Sequence, residues 1–448
     1  MADKLGTETD ALNSFDPRSS ETFFDHIPLN KRNYKYNLCR VAHDDTSNIE
    51  SSQFVNSVHI SPFDRLSNIV YTDSLNSLKT VSNTPSKGWA SAKSNVCLRD
   101  GLVYFEFQMK QIDPLKECNT RVGISQRNFP IAQPIGSDLN NSVGIRDMTF
   151  ERVYNRKRDM FLNNNDSESF NVGDSIGFLV NLPSISTQYK QSLSFVKSLI
   201  SKETDEFELF QLNRYLEDIE TIYLEQKTIH KERVLIKYKN ETYFESQDYV
   251  KNEQFKDEDL IFLTGSFIKV FKNGVYKGDL ANDEKPMLFN FLPPFSSVSF
   301  DNTRYKQVYN KLIKNNDIEN IRALIPKKYY DDGSLGYYPT ISLFNDAQVQ
   351  LNGSVHDMVY YDIIKQFVIS DDSILNKHLT TLEDVYLAQK EQTKLYDTIE
   401  CEKKKQQGEM LTKKMDETDF EPDLKVLGLS ALNELNDKTE SQDIEMEL

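Results

Sequence analysis

Arg121 is the residue whose position most directly indicates a chemical role. Val122 and Ile124 follow it with the period-2 alternation of a strand that buries one face, so Arg121 is expected on the opposite face. A planar guanidinium in that position can hold a carboxylate through two parallel hydrogen bonds. The alternative is a structural ion pair across the sheet.

A second basic feature is the run Arg156, Lys157 and Arg158, which interrupts an acidic chain. The formal net charge of -16 argues against a wholly basic nucleic-acid binder but leaves room for local basic patches. A solvated loop is the usual interpretation of such a short run. Binding of phosphate groups is the alternative.

The sequence predicts no enzyme active site. It has no GxGxxG or Walker phosphate loop, no HExxH and no GxSxG, and its six histidines are scattered. The four cysteines lie far apart without CxxC spacing, so neither a zinc site nor a disulfide framework is indicated. With 69 acidic residues, paired carboxylates carry no information. We therefore expect no catalytic residue, no metal and no cofactor.

A helical stripe near the C-terminal end could contact a partner. Leu382, Val385, Tyr386 and Gln389 share one face of a helix predicted over 380–399, and Leu379 lies one turn earlier. Such a stripe either packs on the protein's own core or lies in the groove of another protein.

Alternating apolar residues predict the strands of an antiparallel β-sandwich. The clearest strands are Val103 to Met109, Val122 to Ile124 and Ile176 to Leu182. On the first strand, one face is predicted to be buried, which leaves Tyr104 and Glu106 on the other. Asn-Gly between two alternating runs, at 273–274, predicts a tight hairpin. Trp89, the only tryptophan, is predicted to anchor the core.

Helical patterns predict two insertions in this sandwich, at about 184–258 and 301–336. The first carries a stripe from Leu209 to Tyr223 and then a possible strand pair, and the second carries a stripe from Tyr305 to Ile313. We expect a disordered N-terminus over 1–23, a sandwich with its N-terminal arm over 24–352, an extension over 353–400, and an acidic, mostly disordered tail over 401–448. Without a signal sequence or an 18-residue apolar run, a soluble intracellular protein is expected.

Four fragments in the same order resemble a SPRY (B30.2-like) domain. They are Leu98 to Glu106, Arg121 to Ser125, Val172 to Phe178 and Phe271 to Gly274. Further segments resemble the Ash2 branch of that family in its shorter, fungal Bre-type form; they are 124–126, 133–136, 181–183 and 338–344. The resemblance implies a mainly β fold, a SPRY sandwich with two largely helical insertions and a C-terminal docking helix.

The resemblance also implies a function and partners. Ash2-like proteins are non-catalytic subunits of COMPASS-type histone H3 lysine-4 methyltransferases in the nucleus. Their SPRY domain binds an acidic peptide of the β-propeller (WD-repeat) subunit and thereby supports the catalytic SET-domain subunit. The matching pocket residues here are Tyr104, Arg121, Pro134 and Arg146, although Ser137 replaces a tyrosine that is frequent in the family.

Two further contacts follow from the resemblance. The stripe of Leu379, Leu382, Val385, Tyr386 and Gln389 matches the helix that lies in the groove of a Dpy-type helical dimer. The basic run Arg156 to Arg158 matches a loop that could touch nucleosomal DNA, while the histone H3 tail is reached through the complex. No membrane contact is expected.

Two other functions stay open at this stage. A SPRY substrate adaptor of a ubiquitin ligase would carry a RING, B-box or SOCS-like segment, and no such cysteine or helix pattern is present. A free-standing peptide-binding scaffold would leave the C-terminal helix without a dimer to bind.

Overall fold

The computed structural model of the chain describes two packed β-sheets, a small third sheet and several helices. The described residues are 35–38, 57–66, 68–73, 77–84, 88–112, 117–127, 129–137, 141–161, 168–224, 234–238, 241–246, 260–290, 303–315, 336–392, 394, 395, 398, 402 and 405. The chain divides into two compact units, 1–393 and 394–448, and the sheets belong to the first. The segment 1–23 and most of 401–448 lie outside the described residues.

The first sheet has seven strands, each antiparallel to its neighbours. They are β2 (Ile60–Arg65), β5 (Trp89–Ser94), β7 (Asn119–Gln126), β8 (Ser142–Arg146), β9 (Arg152–Tyr154), β10 (Lys157–Asp159) and β16 (Tyr337–Phe344). Their order is β10-β9-β8-β7-β16-β5-β2, so β10 and β2 are the edges.

The second sheet has eight strands. They are β3 (Ile69–Tyr71), β4 (Thr80–Asn83), β6 (Gly101–Gln111), β11 (Ser175–Leu182), β14 (Phe267–Lys272), β15 (Val275–Ala281), β17 (Gln348–Asn352) and β18 (Leu379–Thr381). Seven of them follow the order β15-β14-β11-β6-β17-β4-β3, and β18 pairs with β6 in parallel.

The main core lies between these two sheets. The rings of Phe105 and Phe178, which face each other across β6 and β11, stack at 5.7 Å, and Phe107 meets Phe178 edge-on at 5.6 Å. From the other sheet, Val122 and Ile341 enter the same buried cluster. Each such side chain contributes roughly 1.5–3 kcal/mol on burial. The predicted antiparallel β-sandwich is confirmed.

The predicted hairpin at 273–274 is also confirmed. Asn273 and Gly274 have φ values of 51° and 78° between β14 and β15, as a two-residue turn of this hand requires. The Asn273 side chain accepts from the amide of Ser175 and donates to Asp174, which joins the turn to the start of β11.

The outer face of β6 is buried, contrary to the prediction of one buried face. The helix α4 (Tyr361–Ser370) and the segments around it cover that face. Their apolar side chains form a second cluster with residues of β6, β11 and β14. The members of this cluster are Leu102, Tyr104, Leu179, Phe271, Met358, Ile364, Val368 and Ile374. The extension that follows β17 is therefore a second layer of packing on the sandwich.

A single buried carboxylate holds this extension. Glu106, fully buried on β6, accepts hydrogen bonds from the hydroxyls of Tyr104 and Ser175 at 2.9 and 2.7 Å. It also accepts from the amides of Val359 and Tyr360 at 3.0 and 2.9 Å, immediately before α4. A carboxylate in this position satisfies amides near the start of the helix and interacts favourably with its dipole.

Three helices and one pair of strands make up the described parts of the insertions. The first contains α1 (Ile185–Ile200), α2 (Glu206–Leu224), β12 (Val234–Tyr238) and β13 (Glu241–Ser246), and the second contains α3 (Thr303–Lys314). The predicted stripes fall on α2 and α3, and the predicted strand pair is β12 and β13. This pair forms a separate sheet with β1 (Lys35–Leu38).

Sequence patterns did not predict α1, because its inward face is polar. Gln188 and Ser192 are fully buried there. The Gln188 amide donates to the carbonyls of Arg99 and Pro183 at 2.6 and 2.8 Å, and Ser192 accepts from Asn290 at 2.7 Å. Hydrogen bonds rather than apolar contacts thus attach α1 to the sandwich. No membrane-spanning candidate occurs among the described helices.

Replacement of Glu106 by alanine is expected to lower the free energy of unfolding by about 3 kcal/mol or more, because two buried hydroxyls and two part-buried amides lose their acceptor. Denaturant unfolding measures this change. Gln108→Ala, on the same face of the same strand and only half-buried, is the control and should cost less than about 1 kcal/mol. Equal losses in the two variants would show that Glu106 does not anchor the extension.

Candidate peptide-binding surface

Two arginines lie directly opposite each other on the outer face of the seven-stranded sheet. Arg121 of β7 pairs with Arg146 of β8, and the core residues Val122 and Ile145 form the next pair. Because side chains alternate along a strand, both arginines point away from the core. The predicted placement of Arg121 on the outer face is confirmed.

The loop 129–137 covers the neighbouring part of this face. Ser91 donates its amide to the Ile131 carbonyl at 2.8 Å and its hydroxyl to the Gln133 carbonyl at 2.6 Å. The Ile135 amide donates to the hydroxyl of Ser342 at 3.0 Å. These contacts to β5 and β16 hold the loop flat against the sheet.

The loop also adds a small apolar core of its own. Phe129, Ile135 and Val153 are buried together on the outer side of the sheet. Gly144 lies beneath them, and a Cβ atom there would come within 2.9 Å of the Ile135 side chain. The absence of a side chain at this position lets the loop lie close to the strands.

Arg121 is half-buried between this loop and Trp89. Its Nη1 donates to the Ile135 carbonyl at 2.7 Å, and its guanidinium carbon lies 5.1 Å from the centre of the Trp89 ring. Desolvation by burial, followed by repulsion from Arg146 and Arg158, lowers the pKa of Arg121 to about 10, against the attraction of Asp147. The side chain stays protonated at neutral pH.

Trp89 is therefore not the core anchor predicted from the sequence. It is half-buried on the outer face of β5, where its ring lies 5.5 Å from that of Phe344. The core-facing residue at this end of β5 is the adjacent Ala90. The tryptophan supports the guanidinium of Arg121 instead.

Arg146 and Pro134 lie on the same surface. Arg146 is half-buried, with its Nη1 3.5 Å from a carboxylate oxygen of Glu151 and its Nη2 3.6 Å from the sulfur of Met148. Both contacts are long, so Arg146 holds no strong hydrogen bond to either group. Pro134 is half-buried in the loop, and its carbonyl accepts from the amide of Ser137 at 3.1 Å.

Tyr104 does not belong to this surface, which corrects its assignment from the family resemblance. It is fully buried on β6 of the other sheet, where its hydroxyl donates to Glu106 and its ring meets Phe271 edge-on at 6.3 Å. Burial beneath the C-terminal extension raises its pKa well above the usual range. The structure thus brings Arg121, Pro134 and Arg146 together and separates Tyr104 from them.

The basic run forms the tight turn between β9 and β10 at the edge of the sheet. Asn155 and Arg156 have φ values of 48° and 61°, and the amide of Arg156 donates to the Gly136 carbonyl at 2.8 Å. Arg156, Lys157 and Arg158 are all exposed. A contact of these side chains with DNA stays a prediction.

The C-terminal stripe packs on the protein itself, which corrects its prediction as a docking face. In the helix α5 (382–392), Leu382 is fully buried in the main core, with Val385 and Tyr386 packed against it. The Gln389 amide donates to the Cys97 carbonyl at 2.7 Å, and Leu379 packs on the cluster beneath α4. Leu382 is therefore not available to a second protein, and the other four side chains of the stripe are half-buried against the sandwich.

The described residues hold no arrangement typical of a metal site. Among them, no group of three histidine, cysteine or carboxylate side chains converges on one point. Cys97 and Cys118 are buried and form no disulfide.

Replacement of Gly136 by alanine is expected to displace the loop from the sheet. Gly136 has a φ of 76°, and an added Cβ would lie 2.6 Å from the Val153 backbone. Backbone strain and steric overlap together should therefore lower the free energy of unfolding by about 3 kcal/mol or more. The control is Gly173→Ala, with a φ of 92° and open space around the added carbon, which should cost about 1–2 kcal/mol. Denaturant unfolding compares the two. Equal losses would mean that the close approach of the loop is unimportant.

Comparisons with known proteins give relatives over much of the chain. COMPASS component BRE2 of Saccharomyces cerevisiae is 26% identical, with the alignment covering 84% of this chain and 87% of that protein. Set1 complex component ash2 of Schizosaccharomyces pombe is 28% identical over 73% of this chain, and COMPASS component cclA of Colletotrichum higginsianum is 24% identical over 60%. The chain spans only 41% and 46% of these last two proteins. No protein-family model matches the chain.

Solved structures similar to the chain include two SPRY domains. The SPRY domain of human HERC1 aligns over 63% of this chain and 89% of its own, at 10% identity and a TM-score of 0.26. A second human SPRY domain aligns over 64% and 94%, at 11% identity and a TM-score of 0.27. The antiparallel sandwich itself is established by the strand order given above. The curated relatives confirm the resemblance predicted from the sequence motifs, which is to the Ash2-like SPRY components of COMPASS complexes.

Proposed function

We propose that this chain is a non-catalytic scaffold subunit of a COMPASS-type histone H3 lysine-4 methyltransferase complex and acts in the nucleus. Its curated relatives are named as components of COMPASS or Set1 complexes. In this proposal the surface formed by Arg121, Pro134 and Arg146 binds an acidic segment of the β-propeller subunit.

The observation that carries the proposal is the pair of arginines facing each other across β7 and β8. Like charges directly opposite in a sheet are destabilising. Two carboxylates offset part of this repulsion, since Glu151 lies 3.5 Å from Arg146 and Asp147 attracts both arginines. The hydrogen-bond acceptor of Arg121, however, is the neutral carbonyl of Ile135. A bound carboxylate would offset part of the repulsion between the two guanidinium groups. The surface is therefore suited to an anionic ligand.

Trp89 and the loop 129–137 prepare Arg121 for this role. The ring below and the Ile135 carbonyl beside the guanidinium leave it few alternative orientations. A side chain that is already ordered loses little conformational entropy when a ligand binds. Partial burial also strengthens its attraction to a carboxylate, because water screens the charges less.

The proposed mechanism requires no chemical group from this chain. Binding of the β-propeller segment joins two subunits, and the pair stabilises the active shape of the SET-domain subunit. Such a population shift needs only a difference in binding free energy between the active and inactive shapes. The histone tail and the methyl donor are handled elsewhere in the complex. No cofactor is assigned to this chain.

A Dpy-type helical dimer is the second proposed partner. Since the predicted stripe of α5 is buried, the contact falls instead on the outward side of this helix. Leu387 is the exposed large apolar residue there, with 48% of its surface accessible, and Asp384, Ala388 and Glu391 are exposed near it.

Arg121→Gln is expected to weaken binding of the purified β-propeller subunit about 10- to 100-fold, because charge-assisted hydrogen bonds are lost. Glutamine is too short to keep the hydrogen bond of Nη1 to the Ile135 carbonyl, but the position lies on the outer face of the sheet, so the chain should stay folded, which thermal unfolding checks. Isothermal titration calorimetry measures the affinity. Lys110→Gln, an equal charge change at an exposed position of the other sheet, is the control. Undiminished binding by Arg121→Gln would refute the assignment.

Leu387→Glu is expected to abolish recovery of the helical dimer in co-purification while the chain stays folded, since it places a charge in the proposed apolar contact. Leu382→Glu should instead unfold the chain, because that side chain is in the core. Circular dichroism distinguishes the two effects. A folded Leu387→Glu protein that still recovers the dimer would exclude this face.

A further inference from the structure

Arg158 faces the same way as the two arginines of the peptide surface. On the β9–β10 hairpin it pairs with Val153, whose side chain is buried on the outer face with Phe129 and Ile135. Residues that pair directly across two strands share a face. Val153 in turn pairs with Gly144, which lies two residues from Arg146 on β8. Register thus places Arg121, Arg146 and Arg158 on one side of the sheet.

Lys157 points the opposite way. It pairs with Tyr154, whose ring packs against the core between the two sheets. Lys157 and Arg158 therefore lie on the same strand of the same hairpin and are both exposed, but their side chains project from opposite faces of the sheet. Only one of them can extend the surface that carries Arg121.

The hairpin that carries Arg158 is held in a defined position. Arg156 donates its amide to the Gly136 carbonyl at 2.8 Å and its Nε to the Ser137 carbonyl at 3.2 Å. Both acceptors belong to the loop that also contacts Arg121. Arg156 adopts a φ of 61°, which is unfavourable for a residue with a side chain. A turn fixed in this way resembles a positioned element more than a solvated loop.

The Arg158 guanidinium is exposed and has no hydrogen-bond or ion-pair partner among the described residues. By contrast, the neighbouring Asp159 is already paired with Arg152. Arg158 is also near enough to Arg121 to contribute to the lowering of its pKa. A third unneutralised guanidinium thus lies beside two that already repel each other.

We propose that Arg158 is a third anion-binding residue of the peptide surface and binds a second acidic position of the same peptide; this rests on the proposed function. From β7 to β10 there are three interstrand steps, or roughly 14 Å across the sheet, and Arg158 is also offset from Arg121 by two residues along the strands. The separation is therefore roughly 16 Å, which an extended peptide covers in about four to five residues. The ligand is therefore an extended peptide with two acidic positions about four to five residues apart.

The test uses two synthetic peptides that are otherwise neutral and polar. One carries two Glu-Glu pairs with their centres four residues apart, and in the other the second pair is Gln-Gln. Fluorescence anisotropy at low salt gives the affinity of each for the wild-type chain and for Arg121→Gln, Arg158→Gln and Lys157→Gln. Lys157→Gln is the matched control, because it removes the same charge from the same hairpin on the other face.

We expect the wild-type chain to bind the two-pair peptide about five- to tenfold more tightly than the one-pair peptide. Arg158→Gln should remove this preference and leave the affinity for the one-pair peptide within about twofold. Lys157→Gln should keep the preference for the two-pair peptide. Arg121→Gln should bind both peptides more weakly than the wild-type chain does.

Different results would refute the proposed function and the added role of Arg158. If Arg121→Gln binds both peptides as tightly as wild type, or if wild type binds neither, the proposed function is wrong. If Arg121→Gln loses binding but Arg158→Gln keeps the preference, only the role of Arg158 is wrong. A 20-base-pair DNA duplex provides the other comparison. If Arg158→Gln and Lys157→Gln weaken DNA binding equally and neither affects the peptides, the hairpin binds phosphate and the inference is overturned.

Discussion

The close approach of the loop 129–137 to the seven-stranded sheet is the constraint on which the candidate surface depends. Glycines at 136 and 144 make that approach possible, since an added Cβ would overlap Val153 or the β7 backbone. The loop then supplies the carbonyl that orients Arg121 and the carbonyls that hold the basic hairpin. Strand pairing from β7 to β10 sets the spacing of the three arginines, and the loop contact orients Arg121 and fixes the turn that precedes Arg158. With both, the arginines form one charged surface over a small apolar core.

The two sheets have their outer faces covered by different means. On the seven-stranded sheet the cover is a short loop held by serine hydroxyls, and a strip of charged surface stays open beside it. On the eight-stranded sheet the cover is an apolar helix joined to the buried carboxylate of Glu106. A face sealed in this way cannot also bind a peptide. The candidate surface is therefore confined to one side of the sandwich.

Sequence patterns predicted the elements whose burial follows a simple period. The strands around Phe105, Val122 and Phe178, the 273–274 turn and the stripes of α2 and α3 were all predicted from alternation or helical spacing. Predictions were wrong where a second layer of structure, such as the C-terminal extension, or a polar contact buries a residue. Tyr104 and Glu106 alternate as an exposed face would, and only distant residues of the extension cover them.

The same reason explains the errors at the candidate site. A stripe such as that of Leu382 and Val385 has one pattern whether it packs on its own core or on a partner, so periodicity cannot separate the two. Trp89, the only tryptophan, was predicted to anchor the core, whereas the alternation of Ala90 and Ala92 places it outside. That alternation was the available signal. The pairing of Arg121 with Arg146 requires the register of two strands 25 positions apart, which no local pattern contains.

The location of β18 has a consequence for how the chain folds during synthesis. The hydroxyl of Thr380 donates to the carbonyl of Leu102, a contact between residues 278 positions apart, and β18 completes the edge of β6. The sandwich core also includes Leu382, so it cannot be completed until most of the chain has left the ribosome. Topologies dominated by such distant contacts fold slowly, and their unpaired strand edges are exposed meanwhile. A nascent chain therefore exposes part of the edge of β6 until residues 379–382 have been made.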